Sequence, residues 1–199
     1  MATIPLKAAA IASISAFVET KYAPIFVASG VGSSLLANNP TFIVSPMIVS
    51  VVGIYALFYG FLVVGRSRGK AIENAKKDGE KDVDERYALP NLYVQGTSKH
   101  AKIFNCIQRS HQQIFETYTL MCVCSPLAAI TFPLSSAFTT LMYAVGRVAL
   151  TQAYGQAEGD ATKRYSNKLS TYNWIGIFAT FCLSTASCIS VLFKMEITN

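Results

Sequence analysis

Long apolar runs alternate with short polar intervals along this chain, and the lengths of the runs set its architecture. Four of them, Phe42–Gly65, Gln113–Phe132, Ala137–Ala157 and Ser170–Phe193, reach the roughly 20 residues that a helix needs to cross a hydrocarbon layer of about 30 Å. None shows the ten-residue alternation of a membrane β-strand, so each span reads as α-helical. The expected fold is all-α, an integral-membrane four-helix bundle with an extra N-terminal apolar segment. The second run carries a polar extension back to Phe104, which projects its helix beyond the bilayer.

The intervals divide the chain further. In residues 1–41, Ile4–Val18 and Ile25–Ala37 are apolar but shorter than a span, and Glu19, Lys21 and Pro24 between them argue against one continuous helix. This segment is expected to serve targeting or anchoring. Residues 42–194 form the membrane domain, and 195–199 a short tail. Arg66–Lys102 is the long polar stretch. In it, Gly69–Glu80 is rich enough in Ala, Lys and Glu to extend the first helix, Lys76–Arg86 reads as solvated surface, and Pro90 marks an extended approach to the second span.

Composition agrees with lipid as the solvent. The chain is 52% hydrophobic and 14% charged, against about 25% charged in an ordinary soluble domain. The net charge of +6 is no nucleic-acid signature, because nine of the 17 Lys and Arg lie in residues 66–102, interleaved with six acids and without an aromatic–basic pattern. Lys163, Arg164 and Lys168 outnumber Glu158 and Asp160 in the third interval, while the turn between the second and third spans has no charge. By the positive-inside bias both charged loops face the cytosol. The five cysteines sit in or beside apolar helices, where free thiols act as small hydrophobes. No metal motif or phosphate-binding glycine loop is present.

Chemistry concentrates where the second helix enters the membrane. At about 100° per residue, Arg109, Gln113 and Glu116 fall within roughly 60° of one another, and a rise of about 1.5 Å per residue separates Arg109 from Glu116 by roughly 10 Å. An extended tripeptide has a similar reach. The stripe therefore fits a small zwitterionic peptide, or else Arg109 and Glu116 serve in an ion pair between helices or between subunits with no ligand. His111 lies on the same projecting turn. In the third span Tyr143, Arg147 and Tyr154 make a second stripe, and Arg147 is deep enough that it must face the bundle interior and find a partner.

The run Phe-Asn-Cys-Ile-Gln-Arg-Ser-His-Gln-Gln-Ile-Phe-Glu at 104–116 closely resembles the signature of the membrane-associated eicosanoid and glutathione metabolism proteins. Pro90-x-x-Tyr93, Gly146-Arg147-Val148 and Lys163-Arg164 extend the likeness, which covers roughly residues 42–194. The resemblance implies a homotrimer of four-helix units with glutathione held between subunits near the cytosolic face. It assigns glutathione contacts to Arg109, Gln113 and Glu116 on the second helix, with His111 and Arg147 beside them. Further contacts fall to Gln152 and Tyr154 on the third helix and to Arg66 at the end of the first. Arg164 becomes the catalytic cation that activates the thiol. The implied activity is that of a glutathione transferase and peroxidase acting on lipophilic electrophiles or lipid hydroperoxides. The expected location is the endoplasmic-reticulum membrane, or an organelle membrane if residues 1–41 are a transit segment. The alternative within the same fold is a non-catalytic scaffold that presents fatty acids to a partner enzyme. Three departures stand out: Gln113 replaces the usual asparagine, Leu150 a tyrosine, and the loop before Lys163 is about two residues longer.

Overall fold

The computed structural model describes residues 3–27 and 40–197. Seven helices follow in chain order: α1 (Thr3–Val27), α2 (Val44–Phe58), α3 (Gly65–Lys77), α4 (Val83–Arg86), α5 (Lys99–Thr131), α6 (Pro133–Gly155) and α7 (Ser170–Ile197). A π-helical segment, Tyr59–Val64, fuses α2 to α3, so that 41–77 run as one helical rod. The predicted extension of the first span into the polar interval is thus present. A 3₁₀ turn at Ala161–Tyr165 leads into α7, and the described helix continues to Ile197, into what was expected to be a tail.

Among the described residues three helices are long and apolar enough to cross a membrane: Thr41–Lys77, Lys99–Thr131 and Lys168–Phe193. The sequence pattern called for a fourth in α6. That helix has 23 residues, long enough to span, but hydroxyls and an arginine lower its apolar character. Those polar groups turn inward. Ser135, Ser136, Thr139, Thr140, Tyr143, Arg147 and Thr151 are all buried. A helix lined by partners can carry such a face in lipid because neighbouring helices satisfy it.

The tightest crossing is between α6 and α7. A Cβ added to Gly146 would lie 1.9 Å from the Asn173 backbone nitrogen, and one added to Gly176 would lie 2.4 Å from that of Tyr143. Only glycine permits this backbone-to-backbone approach. Toward the uncharged end, hydroxyls tie the helices laterally. Ser136 Oγ donates to the Ser125 carbonyl at 2.8 Å and lies 2.9 Å from the Ser45 hydroxyl, while Thr180 Oγ1 donates to Thr139 Oγ1 at 2.9 Å. Apolar packing of Val49, Val52 and Ala56 on α2 against Ile114, Met121, Tyr143 and Ile177 fills the space between.

The polar break expected to interrupt the N-terminal segment does not end its helix. Thr3–Val27 is one helix that runs through the polar break and includes Pro24 near its C-terminal end. The second apolar run, Ile25–Ala37, lies mostly outside the described residues. Ala8 and Ala12 pack with Ala128, Phe132, Ile175, Ala179 and Leu183, so α1 joins the bundle over α7. Glu19 explains why a carboxylate sits in the apolar segment. It is buried, and its two oxygens accept from the backbone N–H groups of Leu134 and Ser135, each at 2.8 Å. Phe132, the residue that precedes α6, provides no side-chain cap. A carboxylate from α1 therefore supplies the acceptor, favoured also by the helix dipole.

Replacing Glu19 with Ala leaves the buried Ser135 amide and the part-buried Leu134 amide without their acceptor and is expected to cost about 0.5–2 kcal/mol. Thermal unfolding of the full chain in detergent measures it, and an unchanged Tm would mean that the contact contributes nothing.

Candidate functional site

At the charged end, the polar interval folds into a frame against α5. Arg68 donates to the carbonyls of Tyr87 and Asn91, both at 2.8 Å, with its guanidinium 4.6 Å from the centre of the Phe104 ring. Arg86 holds Glu80 at 3.0 Å and donates twice to the Gln95 carbonyl. Asn105 grips the same loop at a single residue: Val94 N–H donates to its Oδ1 and its Nδ2 donates to the Val94 carbonyl, each at 2.8 Å. Ser98 caps α5 by accepting from Ala101 N–H. The interval thus carries an ordered collar at 86–98, while most of Lys76–Arg86 stays exposed, as its mixed charge implies.

The collar delivers Tyr93 to the signature stripe. Its hydroxyl donates to Gln112 Oε1 and lies within interaction range of Arg109. Arg109 and Glu116 pair with each other two turns apart on α5, one guanidinium nitrogen meeting each carboxylate oxygen, the second contact at 3.1 Å. Both side chains are about half open, at 38% and 50%. Half-buried Gln113 lies on the turn they bridge. The pair therefore lies within α5 itself rather than between helices, along the stripe that the sequence marks.

Tyr154 and Arg164 come to the same end of the bundle. Tyr154 is buried against Cys106 and Ala157, and its hydroxyl lies within electrostatic reach of both Arg164 and Arg109. The Arg164 guanidinium sits 5.3 Å from the centre of the Tyr165 ring, on the 3₁₀ turn. Asp160 forms that turn by accepting from Thr162 N–H at 3.0 Å and Thr162 Oγ1 at 2.6 Å. These hydrogen bonds, with a smaller contribution from Lys163, hold the Asp160 carboxyl below its ordinary range. Gly159, at φ +86°, lets the chain turn over Lys102.

Arg147 enters from beneath. It is fully buried within one chain and donates from Nη2 to Thr117 Oγ1 at 3.0 Å. Its guanidinium lies 6.0 Å from the centre of the Tyr143 ring and within electrostatic reach of Glu116. Its Nε and Nη1 are buried and meet no hydrogen-bond partner among the described residues.

Three other named positions fall elsewhere. His111 Nε2 faces the Ala56 carbonyl at 3.1 Å, and its ring stacks on Tyr59, which ties α5 to the π-helical segment. A Cβ on Gly60 would come within 2.7 Å of that nitrogen. Gln152 and Arg66 are exposed on α6 and α3 and do not meet the stripe from within their own chain. Leu150 is fully buried. All five cysteines are free. Arg68 and Asn105, the residues that build the collar, were not singled out by sequence. Each acts on backbone carbonyls or amides, which leave no residue-type signal.

These features define a helical membrane protein with a polar, cation-rich site at one end of its bundle. The MAPEG family model matches residues 43–188, and the chain belongs to that family. No solved structure matches the chain. Helix α1 lies outside the matched region.

Because the folded state lowers the Asp160 pKa, its contribution is complete above the usual Asp range, about 3.9, and is lost as pH falls through the lowered value. Protection of the Thr162 amide relative to its intrinsic exchange rate is expected at neutral pH, is lost only in strong acid, and is absent at every pH in Asp160→Ala. Equal protection in the variant would remove Asp160 as the organiser of the Arg164 turn.

Proposed function

We propose that the protein is a membrane glutathione transferase with glutathione peroxidase activity, of the branch most like microsomal glutathione S-transferase 3. The observation that carries this is the gathering of Arg109, Tyr154 and Arg164 at one end of the bundle. In this reading Arg109 takes a glutathione carboxylate, Glu116 faces the ammonium group, and Gln113 and Tyr154 contact the peptide. His111 positions the helix, Arg147 steadies Glu116 from below, and Gln152 and Arg66 face a ligand bound against a neighbouring subunit.

The thiol of free glutathione is mostly protonated at neutral pH, since its pKa is about 8.5. A guanidinium near the sulfur favours the anion, and Arg164 is assigned that role because it does not hold either carboxylate. The thiolate then adds to the electrophilic carbon of an activated lipid double bond to form a thioether, and the enolate left on the lipid takes a proton from water. With a hydroperoxide it attacks the terminal peroxide oxygen. The O–O bond breaks, the lipid alkoxide leaves and takes a proton, and the sulfenic product reacts with a second glutathione to yield disulfide and water. The membrane supplies the apolar substrate sideways while the stripe holds the sulfur.

The working assembly is a homotrimer in the endoplasmic-reticulum membrane with the charged end in the cytosol, and residues 1–41 anchor rather than leave the chain. Native mass spectrometry in detergent should show three protomers, and a fully active monomer would end that part of the reading.

Turnover of purified protein with glutathione is tested against a generic electrophile and a fatty-acid hydroperoxide. Activity with either supports an enzyme; tight lipid binding without turnover of either would assign the scaffold role instead. Arg164→Met should leave glutathione affinity nearly unchanged while kcat at pH 7 falls about tenfold for each pKa unit that the guanidinium provides. Raising the pH should restore part of the rate. A rate that falls equally at all pH would remove Arg164 from thiol activation.

A further inference from the structure

Arg109 and Glu116 already occupy each other, and this has consequences for what the stripe admits. Their side chains meet across two helical turns, over Gln113, along the line that a bound peptide would follow. The pair does little for the helix itself. Its spacing is not the i,i+3 or i,i+4 that stabilises a helix face, and half-open ion pairs contribute little to folding. The same side chains are also the two charges that the proposed peptide site requires.

We propose that this ion pair is the resting occupant of the site and that ligands enter by exchange, which makes the site selective for zwitterions. A ligand carboxylate replaces Glu116 on Arg109 while the ligand ammonium replaces Arg109 on Glu116, so one ion pair becomes two. A ligand with a carboxylate alone breaks the resting pair and frees Glu116 without a direct partner. A ligand with an ammonium alone does the same to Arg109. Each singly charged ligand trades one pair for one pair and gains nothing from charge, whereas the zwitterion gains a whole contact. Buried Arg147 within electrostatic reach of Glu116 leaves the carboxylate with a positive neighbour during the exchange. Tyr93, already bonded to Gln112 and in range of Arg109, provides a hydroxyl beside the guanidinium when it turns to the ligand.

This inference rests on the proposed glutathione site, and calorimetric titration of the full-length protein in detergent separates the two. The probes are glutathione, its analogue lacking the α-amino group, and its diester, which keeps the ammonium but has no carboxylate. Wild type should prefer glutathione to the deaminated analogue by about 10- to 150-fold, the range of one charge-assisted hydrogen bond. In Glu116→Gln, and more so in Glu116→Ala, glutathione should weaken while the deaminated analogue binds about 1.5- to 5-fold more tightly than it does to wild type. The mirror variant Arg109→Met should tighten the diester by a similar factor, which keeps the test open if a Glu116 variant fails to fold. Glutathione binding by wild type, combined with variants that weaken or leave unchanged their matched singly charged ligands, would overturn the exchange and leave the site standing. Failure of wild type to bind glutathione at all would overturn both.

Discussion

The backbone crossing of α6 and α7 is the constraint on which the site depends. Gly146 and Gly176 bring the two helices so close that the side chains flanking the contact must turn aside, and Arg147, next to Gly146, turns into the bundle. Tyr154 lies two turns further along α6, and the short 3₁₀ connection to α7 carries Arg164. The crossing therefore determines where two of the three site elements at the charged end meet. In lipid, where apolar surface gives helices no reason to prefer one another over acyl chains, close approach of small residues is the means of holding such a geometry.

The third element is α5, and its register is held from outside the membrane. Arg68 and Arg86 fold the polar interval on itself, and the interval is fastened to the first turns of α5 by Asn105 on the Val94 backbone, by His100 against Asp78 at 2.7 Å and by the Arg68 guanidinium over the Phe104 ring. On the membrane side, His111 and Ser110 lock the same helix to the π-helical segment, with Tyr59 Oη 3.0 Å from Ser110 Oγ. A π-helical turn at this point shifts the register of the α2–α3 rod, and Gly60 leaves room for the imidazole. Arg109, Gln113 and Glu116 are thus presented on a helix clamped above and below, while their own face stays open.

Helix α1 adds a fifth member to a bundle whose family match begins only at residue 43. Its bond to the rest is partly apolar, through Ala8 and Ala12, and partly electrostatic, through Glu19 at the start of α6. That acceptor completes the uncharged end of α6, the helix whose other end carries Tyr154. The N-terminal segment and the site are therefore linked by one rigid element, which is a reason to regard α1 as part of the membrane unit.

Much of this was legible in the sequence because lipid imposes simple rules. Run length identified the helices, the polar extension beyond Gly65 was read as continuing helix, and the 3.6-residue period placed Arg109, Gln113 and Glu116 on one face. The signature at 104–116 carried the family. Periodicity could not choose between an ion pair and a ligand site, since both need the same two charges on the same stripe; the folded chain pairs Arg109 with Glu116 along that stripe. Nor could it foresee that α1 runs through Pro24, because the partner of Glu19 lies more than a hundred residues away on backbone amides. The roles of Arg68 and Asn105 were hidden for the same reason. Backbone carbonyls and amides are present at every position, so which of them a side chain meets is decided only when the chain has folded.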